Sequence, residues 1–291
     1  MIDKNNILDL VNKSKNMRKH IINMTYHAGG YGAHIGGALS LVEILSVLFG
    51  KVLNYNKNNL AEENRDRFIL SKGHGALAIY AAFREYNLIS QETMETFRKS
   101  GSWLTAHPTI DVSKGIEFSS GSLGQGLGQG IGTSIALRLK NNNKSKVYVI
   151  LGDGECDEGS IWEGAMLAPQ LKLDNLIVII DKNGLQCDDK TSNIIDLSNI
   201  ENVWKNFGWD TVTVDGHNEE MIYNALIQQS NKPRVIIANT IKGKGVSFIE
   251  NEPKWHMGRL TKQQYIQAME EQGERVELWF NIPKLILKLG Q

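Results

Sequence analysis

The sequence VYVILGDGECDEGSIWEGAMLAPQLKLDNLIVIIDKNG, residues 147–184, contains two apolar runs that each end on small polar residues beside glycine. The first run ends in Gly-Asp-Gly at residues 152–154, and the second ends in Asp-Lys-Asn-Gly at residues 181–184. Unbroken apolar runs rich in β-branched residues are typical of strands buried on both faces of a parallel sheet. The segment therefore predicts two buried strands that carry Asp153 and Asn183 at their carboxyl ends.

The same pattern recurs along the rest of the chain. Three further apolar runs predict strands at Arg67–Leu70, Thr211–Val214 and Arg234–Ala238. The stretches with helical spacing lie between the runs, at Leu39–Phe49, Leu77–Tyr86, Leu123–Leu139 and Gly159–Leu171. This alternation predicts a three-layer αβα fold with a mostly parallel sheet. Because such sheets bind ligands at the carboxyl ends of their strands, we expect the functional residues to gather at one edge.

Composition limits the classes of function that the chain can have. The 291 residues are 41% hydrophobic, and 32 basic residues balance 32 acidic ones, so net charge gives no reason to expect binding to nucleic acid or an anionic membrane. The first twenty residues are charged throughout, unlike a secretory signal, and no apolar run approaches the roughly 20 residues of a membrane span. Two cysteines, Cys156 and Cys187, do not form a disulfide framework. We expect a reduced, cytoplasmic protein.

Asp153 and Asn183 suggest a metal-bound phosphate site at the edge of the sheet. Carboxylate and amide oxygens suit magnesium or calcium better than zinc, and magnesium often completes its octahedron with phosphate oxygens. A helix that begins after Gly154 would add free amides and a favourable dipole. The alternative is that Asp153 caps a helix and Asn183 lies in a turn, since both residue types favour those places.

Eight motifs follow one another in order along the chain: GAHIGGALS, ILSKGHG, LTAHPTIDVSKGIEFSSGSLGQGLGQGIG, GDGECDEGSIWEGAMLA, DKNGLQ, VDGHN, IKGKGVSF and WHMG. Gly-Asp-Gly followed thirty positions later by Asn183 resembles the thiamine diphosphate motif. The whole series, from about residue 15 to 260, resembles the N-terminal half of transketolases. The resemblance implies the diphosphate-binding domain of the thiamine diphosphate-binding fold.

The resemblance also implies the ligands of the cofactor. Magnesium, which calcium or manganese could replace, would be held by Asp153, Asn183 and the backbone carbonyl of Leu185. The residues expected to contact thiamine diphosphate are His74, Gly121, Leu123, Gly154, Glu155 and Asn183.

Four of the seven histidines match positions of the transketolase site. Histidine exchanges protons near neutral pH and donates to oxyanions, so such residues suit catalysis. The resemblance implies that His107 contacts the hydroxyl of the ketol fragment, and that His34 and His256 contact the oxygen at the cleaved bond. His74 is expected near the diphosphate. The other three, His20, His27 and His217, are expected to be structural.

A glycine-rich segment precedes and enters the helix predicted at Leu123–Leu139. Glycine at positions 124, 128 and 132 would open one helical face to another backbone, which must offset a cost of about 1 kcal/mol for each interior glycine. The resemblance implies that this helix runs near a subunit interface, and that Glu158 meets its symmetry mate there. The alternative for Glu158 is an ordinary acidic residue in the first turn of a helix. A Rossmann dinucleotide site is excluded by context, because the glycine run does not follow a predicted strand.

The resemblance does not extend to the second half of a transketolase, which supplies the cofactor-activating glutamate. We therefore expect the N-terminal subunit of a split transketolase, which forms an α2β2 heterotetramer with a separate C-terminal subunit and acts on sugars or sugar phosphates. Residues 1–265 would form the diphosphate-binding domain and residues 266–291 a helical tail. In the loop after His34, AHIGG lacks the proline that is usual in the family, so the loop loses the rigidity of that residue. The resemblance places most substrate phosphate contacts in the missing half, which leaves open whether the ketose is phosphorylated.

Two other functions remain open on sequence grounds. One is the α-type subunit of another thiamine diphosphate enzyme, either a 2-oxo acid dehydrogenase or a deoxyxylulose phosphate synthase. The WHMG and HPTIDVSKGIEF segments argue against the dehydrogenase. The other is a non-catalytic assembly subunit, which would have no need of His34, His107 and His256.

Overall fold

Each of the five predicted strands forms, and all five pair in parallel. The structure, a computed structural model, describes residues 2–274. In these residues one sheet has the order β1-β2-β3-β5-β4. Its strands are β1 (Arg67–Leu70), β2 (Val147–Gly152), β3 (Leu176–Lys182), β4 (Asp210–Asp215) and β5 (Arg234–Asn239).

Helices cover both faces of this sheet. They are α1 (Lys4–His27), α2 (Ile35–Leu39), α3 (Val42–Val47), α4 (Ala76–Glu85), α5 (Gln91–Met94), α6 (Gln125–Leu139), α7 (Gly159–Gln170), α8 (Thr191–Ile194), α9 (Ile200–Asn206), α10 (Glu219–Ile227) and α11 (Lys262–Glu271). No helix in the described part of the chain is long and apolar enough to cross a membrane.

Alternate residues of each central strand pack into two separate hydrophobic cores, one on each face of the sheet. Val147, Val149 and Leu151 of β2 pack in one core with α6, α7 and α9. Tyr148 and Ile150, which lie between them, pack in the other core with α1, α3, α4 and α10. Because successive side chains of a strand point to opposite faces, this division confirms the predicted three-layer αβα fold.

The helix predicted at Leu39–Phe49 is interrupted. α2 ends at Leu39, α3 covers Val42–Val47, and a π-helical turn follows at Leu48–Val52. At the break, Ser40 Oγ lies 2.7 Å from Asp181 Oδ2 and donates a hydrogen bond to it. The interruption thus brings a hydroxyl group to the carboxyl end of β3.

The helix predicted at Gly159–Leu171 forms, and a short turn separates it from β2. Residues Gly154–Asp157 form a short 3₁₀ turn, and α7 begins only at Gly159. Within the turn, the side chain of Glu155 folds back and accepts a hydrogen bond from the Gly152 amide at 3.0 Å. The amides near Asp153 are therefore those of a tight turn and not of a long helix.

The glycines of α6 have two different environments. Gly124 precedes the helix with φ +82°, so it does not belong to the helical face expected from the four-residue spacing. A Cβ at Gly126 would overlap the side chain of Ser71, and a Cβ at Gly130 would overlap a methyl group of Val149. A Cβ at Gly128 or Gly132 would meet no described atom within 4 Å. Close packing in this chain therefore uses the face that carries Gly126 and Gly130.

The last described helix, α11, spans the boundary expected at residue 265. Tyr265 stacks on Tyr26 of α1 with ring centroids 4.3 Å apart, and Ala268 and Met269 belong to the core of α1. The rest of the expected tail, residues 275–291, lies outside the described residues. The division at residue 265 stays a prediction.

Candidate active site

A cavity of about 240 Å³ opens at the carboxyl ends of β2 and β3. It is lined by residues from every one of the motifs except VDGHN, although these motifs lie far apart in the sequence. They are His34, Gly37, Lys72, His74, His107, Gly121, Leu123, Gly152, Asp153, Gly154, Glu155, Asn183, Leu185, Gln186, Cys187, Lys242 and His256. The structure therefore brings every residue named as a site residue in the sequence to one place.

Asp153 lies at the floor of this cavity. Its carboxylate accepts hydrogen bonds from the Gly154 amide at 2.9 Å and from the Gly184 amide at 2.6 Å, and the second contact joins the ends of the two strands. Burial, followed by the neighbouring Asp181, raises the pKa of Asp153 to about 6. A buried carboxylate with a raised pKa is an environment that a bound cation would stabilise.

The side-chain amide of Asn183 is held in one orientation. Its Nδ2 donates to Asp181 Oδ2 at 3.2 Å, and its Oδ1 accepts from the Leu185 amide at 3.1 Å. Asn183 is therefore oriented by two fixed partners, with its oxygen turned away from Asp181. Asn183 and Leu185 line the same cavity as Asp153.

A buried ion pair supports this floor. Asp181 is fully buried, and Lys72 Nζ lies 2.5 Å from its Oδ2. Ser40 and Thr240 donate hydroxyl hydrogen bonds to the same carboxylate. Burial acts to raise the pKa of Asp181, but Lys72 and these donors hold it below its usual value. Sequence reasoning missed both charges, although Lys72 lies within the quoted ILSKGHG motif.

A second buried lysine, also missed, lies on another wall of the cavity. Lys242 Nζ donates to the carbonyls of Gln186 at 2.8 Å and Leu185 at 3.2 Å, and lies 3.1 Å from His256 Nδ1. Burial, followed by Lys72, lowers the pKa of Lys242 to about 8. Lys72 is paired with Asp181, whereas the contacts of Lys242 in the described chain are with carbonyls and an imidazole, so its charge favours an anion in the cavity.

The carboxylate of Glu155 does not point at a ligand. It accepts hydrogen bonds from the amides of Gly124 at 2.8 Å and Gly152 at 3.0 Å, and from the Ser71 hydroxyl. Burial raises its pKa, although these donors act in the opposite sense. Any contact of Glu155 with a cofactor therefore involves its backbone, and its side chain fixes the approach of α6 to the site.

The four histidines form a cluster over the floor. The ring of His34 is central, with centroids 5.7 Å from His74, 5.4 Å from His107 and 5.4 Å from His256. His74 and His256 are 5.1 Å apart. The backbone at Gly121 lies against His107, because a Cβ there would be 3.7 Å from the ring.

These imidazoles are neutral at physiological pH. Burial lowers the pKa of His34 to about 4, the pKa of His256 to about 4 and the pKa of His74 to about 2. The pKa of His107 is lowered for the same reason. A neutral imidazole has one donor and one acceptor nitrogen, so the cluster can exchange hydrogen bonds with hydroxyl and carbonyl oxygens without adding charge.

The fold and the cavity are those of a domain that binds a phosphorylated cofactor at the carboxyl edge of its sheet. The family model described as the thiamine diphosphate binding domain of transketolase matches residues 15–289. The chain belongs to this transketolase family.

The curated relatives are of two lengths. The chain is 40% identical over 268 residues to an apulose-4-phosphate transketolase subunit of Phocaeicola vulgatus, covering 91% of this chain and 94% of the relative. It is 38% identical over 241 residues to a 6-deoxy-6-sulfo-D-fructose transketolase subunit of Clostridium sp. strain MSTE9, covering 82% and 87%. The match to the transketolase of Homo sapiens, at 34% identity, covers 92% of this chain but 43% of that protein.

Solved structures agree with this division. The transketolase of Campylobacter jejuni superposes with a TM-score of 0.83 at 29% identity, over 94% of this chain and 44% of that one. The chain thus spans almost all of the subunit-type relatives and less than half of the single-chain enzymes. These matches favour the transketolase prediction over the other thiamine diphosphate enzymes and the assembly subunit.

Proposed function

We propose that the chain is the N-terminal subunit of a two-subunit transketolase, which transfers a two-carbon ketol unit from a ketose to an aldose with thiamine diphosphate and a divalent metal. The observation that carries the proposal is the convergence of Asp153, Asn183 and the Leu185 carbonyl in one cavity with two lysines and four neutral histidines. The metal-ligand set and the role of each histidine are part of the proposal.

The donors at the floor fit a metal-bound diphosphate. Asp153, Asn183 and the carbonyl of Leu185, which accepts from Lys242 in this structure, would supply three oxygen ligands of the hard type that magnesium prefers. Lys72 and Lys242 add positive charge beside them. Gly154, Gly121 and Leu123 also line the cavity, and the side chain of Gln186 packs against Gly154, where it would lie 2.5 Å from a Cβ.

When bound, thiamine diphosphate supplies the nucleophilic carbon and the electron sink for cleavage of the carbon–carbon bond. The chain's own residues bind and orient the substrate. His34 and His256 would exchange hydrogen bonds with the oxygen at the bond that is cleaved, and His107 would hold a hydroxyl of the ketol fragment. Because the rings are neutral, each can donate or accept a proton as charge develops on these oxygens.

The partner would be a separate C-terminal transketolase subunit, and the assembly an α2β2 heterotetramer. The face of α6 with Gly128 and Gly132 is open in the described chain, and Met166 and Leu167 of α7 are about half exposed, at 53% and 46%. Glu158, at the start of α7, is also exposed. A helix face with glycines at four-residue spacing allows another backbone to approach closely. We expect a cytoplasmic assembly. Light scattering would measure its mass.

The substrate is proposed as a sugar or sugar phosphate. Two subunit-type relatives are named for anionic sugars, apulose 4-phosphate and a 6-sulfo sugar. A panel of xylulose 5-phosphate, fructose 6-phosphate, apulose 4-phosphate and the unphosphorylated ketoses would identify the donor.

The decisive experiment is reconstitution with the partner subunit. We expect ketol transfer that requires both chains, thiamine diphosphate and magnesium. Asp153→Ala should abolish both activity and cofactor binding measured by calorimetry, with circular dichroism unchanged. The matched control is Asp174→Ala, because Asp174 is a half-exposed aspartate outside the cavity, paired with Arg138. Full transfer by this chain alone, or normal cofactor binding by Asp153→Ala, would contradict the proposal.

A further inference from the structure

His217, expected from the sequence to be structural, connects a buried ion pair to the wall of the site. It follows β4 in the VDGHN motif and lies outside the cavity. Its Nε2 accepts a hydrogen bond from the Ile241 amide at 2.8 Å, and its Nδ1 lies 2.9 Å from Glu43 Oε2. Because a backbone amide can only donate, Nε2 is the acceptor, and the ring proton must lie on Nδ1. His217 therefore donates to the carboxylate of Glu43.

The carboxylate of Glu43 is itself fixed. It is buried in α3 and forms an ion pair with Arg18 of α1, which is also buried. Arg18 Nε donates to the Lys244 carbonyl at 3.2 Å, in the same segment that contains Ile241. A Cβ at Gly245 would lie 2.7 Å from the Arg18 side chain, so the segment packs closely on the arginine. Residues 240–246 are thus held through Arg18 and His217.

This segment carries Lys242, the residue after Ile241, whose side chain reaches the site. Lys242 Nζ donates to His256 Nδ1 at 3.1 Å. Since an ammonium group has only donors, His256 Nδ1 must be the acceptor, and the ring proton of His256 lies on Nε2. The tautomer of His256 is therefore set by Lys242.

We propose that His217 is a positioning residue: it holds the backbone at Ile241 so that Lys242 keeps its place. Through Lys242, it fixes the ring orientation and the tautomer of His256. This role rests on the proposed function, in which His256 contacts a reacting oxygen. A displacement of a donor by about 1 Å can lower a rate by up to about 10²-fold, so a residue outside the cavity can control turnover.

The test compares His217→Ala and His217→Gln in the complex reconstituted with the partner subunit. Glutamine keeps an acceptor for the Ile241 amide and a donor for Glu43, whereas alanine removes both. We expect His217→Ala to lower kcat per folded molecule about tenfold with little change in the KM of the ketose, and His217→Gln to recover most of the loss. The control is His27→Ala, because His27 is exposed at the end of α1 and lies outside the cavity.

Hydrogen–deuterium exchange gives a readout that does not depend on activity. Amides in residues 240–246 should exchange faster in His217→Ala and near the wild-type rate in His217→Gln and His27→Ala. Turnover within twofold of wild type in His217→Ala, or unchanged protection of this segment, would overturn the inference. If the wild-type complex transfers no ketol unit, the proposed function fails, while exchange still shows whether His217 holds the segment.

Discussion

Replacing Asp181 by asparagine removes one charge from the floor of the site and almost nothing else. Asparagine has the same shape, and its oxygen can still accept from Lys72 and Ser40 while its amide donates to the hydroxyl of Thr240. The side chain of Lys72 is only 2% exposed, so the variant leaves a buried cation without its adjacent counter-charge. Removing one partner of a buried pair costs about 3–5 kcal/mol. Because Asp153 also attracts Lys72, we expect about 3 kcal/mol, the lower end of that range.

Urea denaturation of the isolated chain at pH 7 would measure this loss of unfolding free energy. The double variant Lys72→Met/Asp181→Asn should recover more than half of it, because a buried pair replaced by uncharged groups of similar size is often near neutral. The exposed pair between Lys140 and Glu63 gives the control, and Glu63→Gln should cost less than about 1 kcal/mol. The reasoning is refuted if Asp181→Asn loses no more than this control, or if the double variant is less stable than either single variant.

Three further predictions follow from burial and packing. Gly130→Ala should destabilise the isolated chain by about 1–3 kcal/mol because its Cβ would meet Val149 in the core. Gly128→Ala, which has open space around the new Cβ, should be neutral or stabilising by up to about 1 kcal/mol. Urea denaturation of the two variants measures both changes. The melting temperature should fall from pH 7 to pH 5, because the pKa of His34 and the pKa of His256 are about 4 in the folded chain and about 6.5 in the unfolded chain. Stability that is present above pH 6.5 is therefore lost as the pH falls. The variant His34→Gln should show a shallower slope, and the raised pKa of Asp153 opposes the trend. In the reconstituted complex, His107→Ala and His256→Ala should each lower kcat about 10²–10³-fold with unchanged cofactor affinity. His74→Ala should mainly weaken the binding of thiamine diphosphate. Equal losses of melting temperature in the three variants, with normal turnover, would contradict this assignment.

The sheet was predictable because its signal is local. Each strand is a short apolar run, and the period of two along β2 divides its side chains between the two cores without reference to distant residues. Asp153 and Asn183 were predictable for the same reason, since parallel neighbours end at the same edge. The helix break at Ser40 was not predictable from local sequence, because the Ser40 side chain donates a hydrogen bond to Asp181, 141 positions away in the sequence.

The glycines of α6 show the limit of periodicity. The four-residue spacing predicts one close-packing face of the helix, with glycine at 124, 128 and 132. In the fold, the closely packed face instead carries Gly126 and Gly130, because Ser71 and Val149 leave no room for a Cβ at these positions. Gly124 lies before the helix in the left-handed region, where a Cβ would lie only 2.5 Å from Ser160 Oγ. A tertiary contact thus decides what the sequence pattern leaves open.

The buried charges were missed for a related reason, and their arrangement explains how the site divides its chemistry. Lys72 and Lys242 are ordinary surface residue types, and only the fold buries them beside Asp181 and the strand-end carbonyls. Lys72 is paired with Asp181, whereas Lys242 donates to the carbonyls of Leu185 and Gln186. Burial is the main cause of the lowered pKa of each histidine, and nearby lysines add to it for His74 and His256, whereas Arg98 adds to it for His107. The fold therefore produces a buried cation and neutral imidazoles together, because burial and the charge of Lys242 both disfavour protonation of the neighbouring His256 ring.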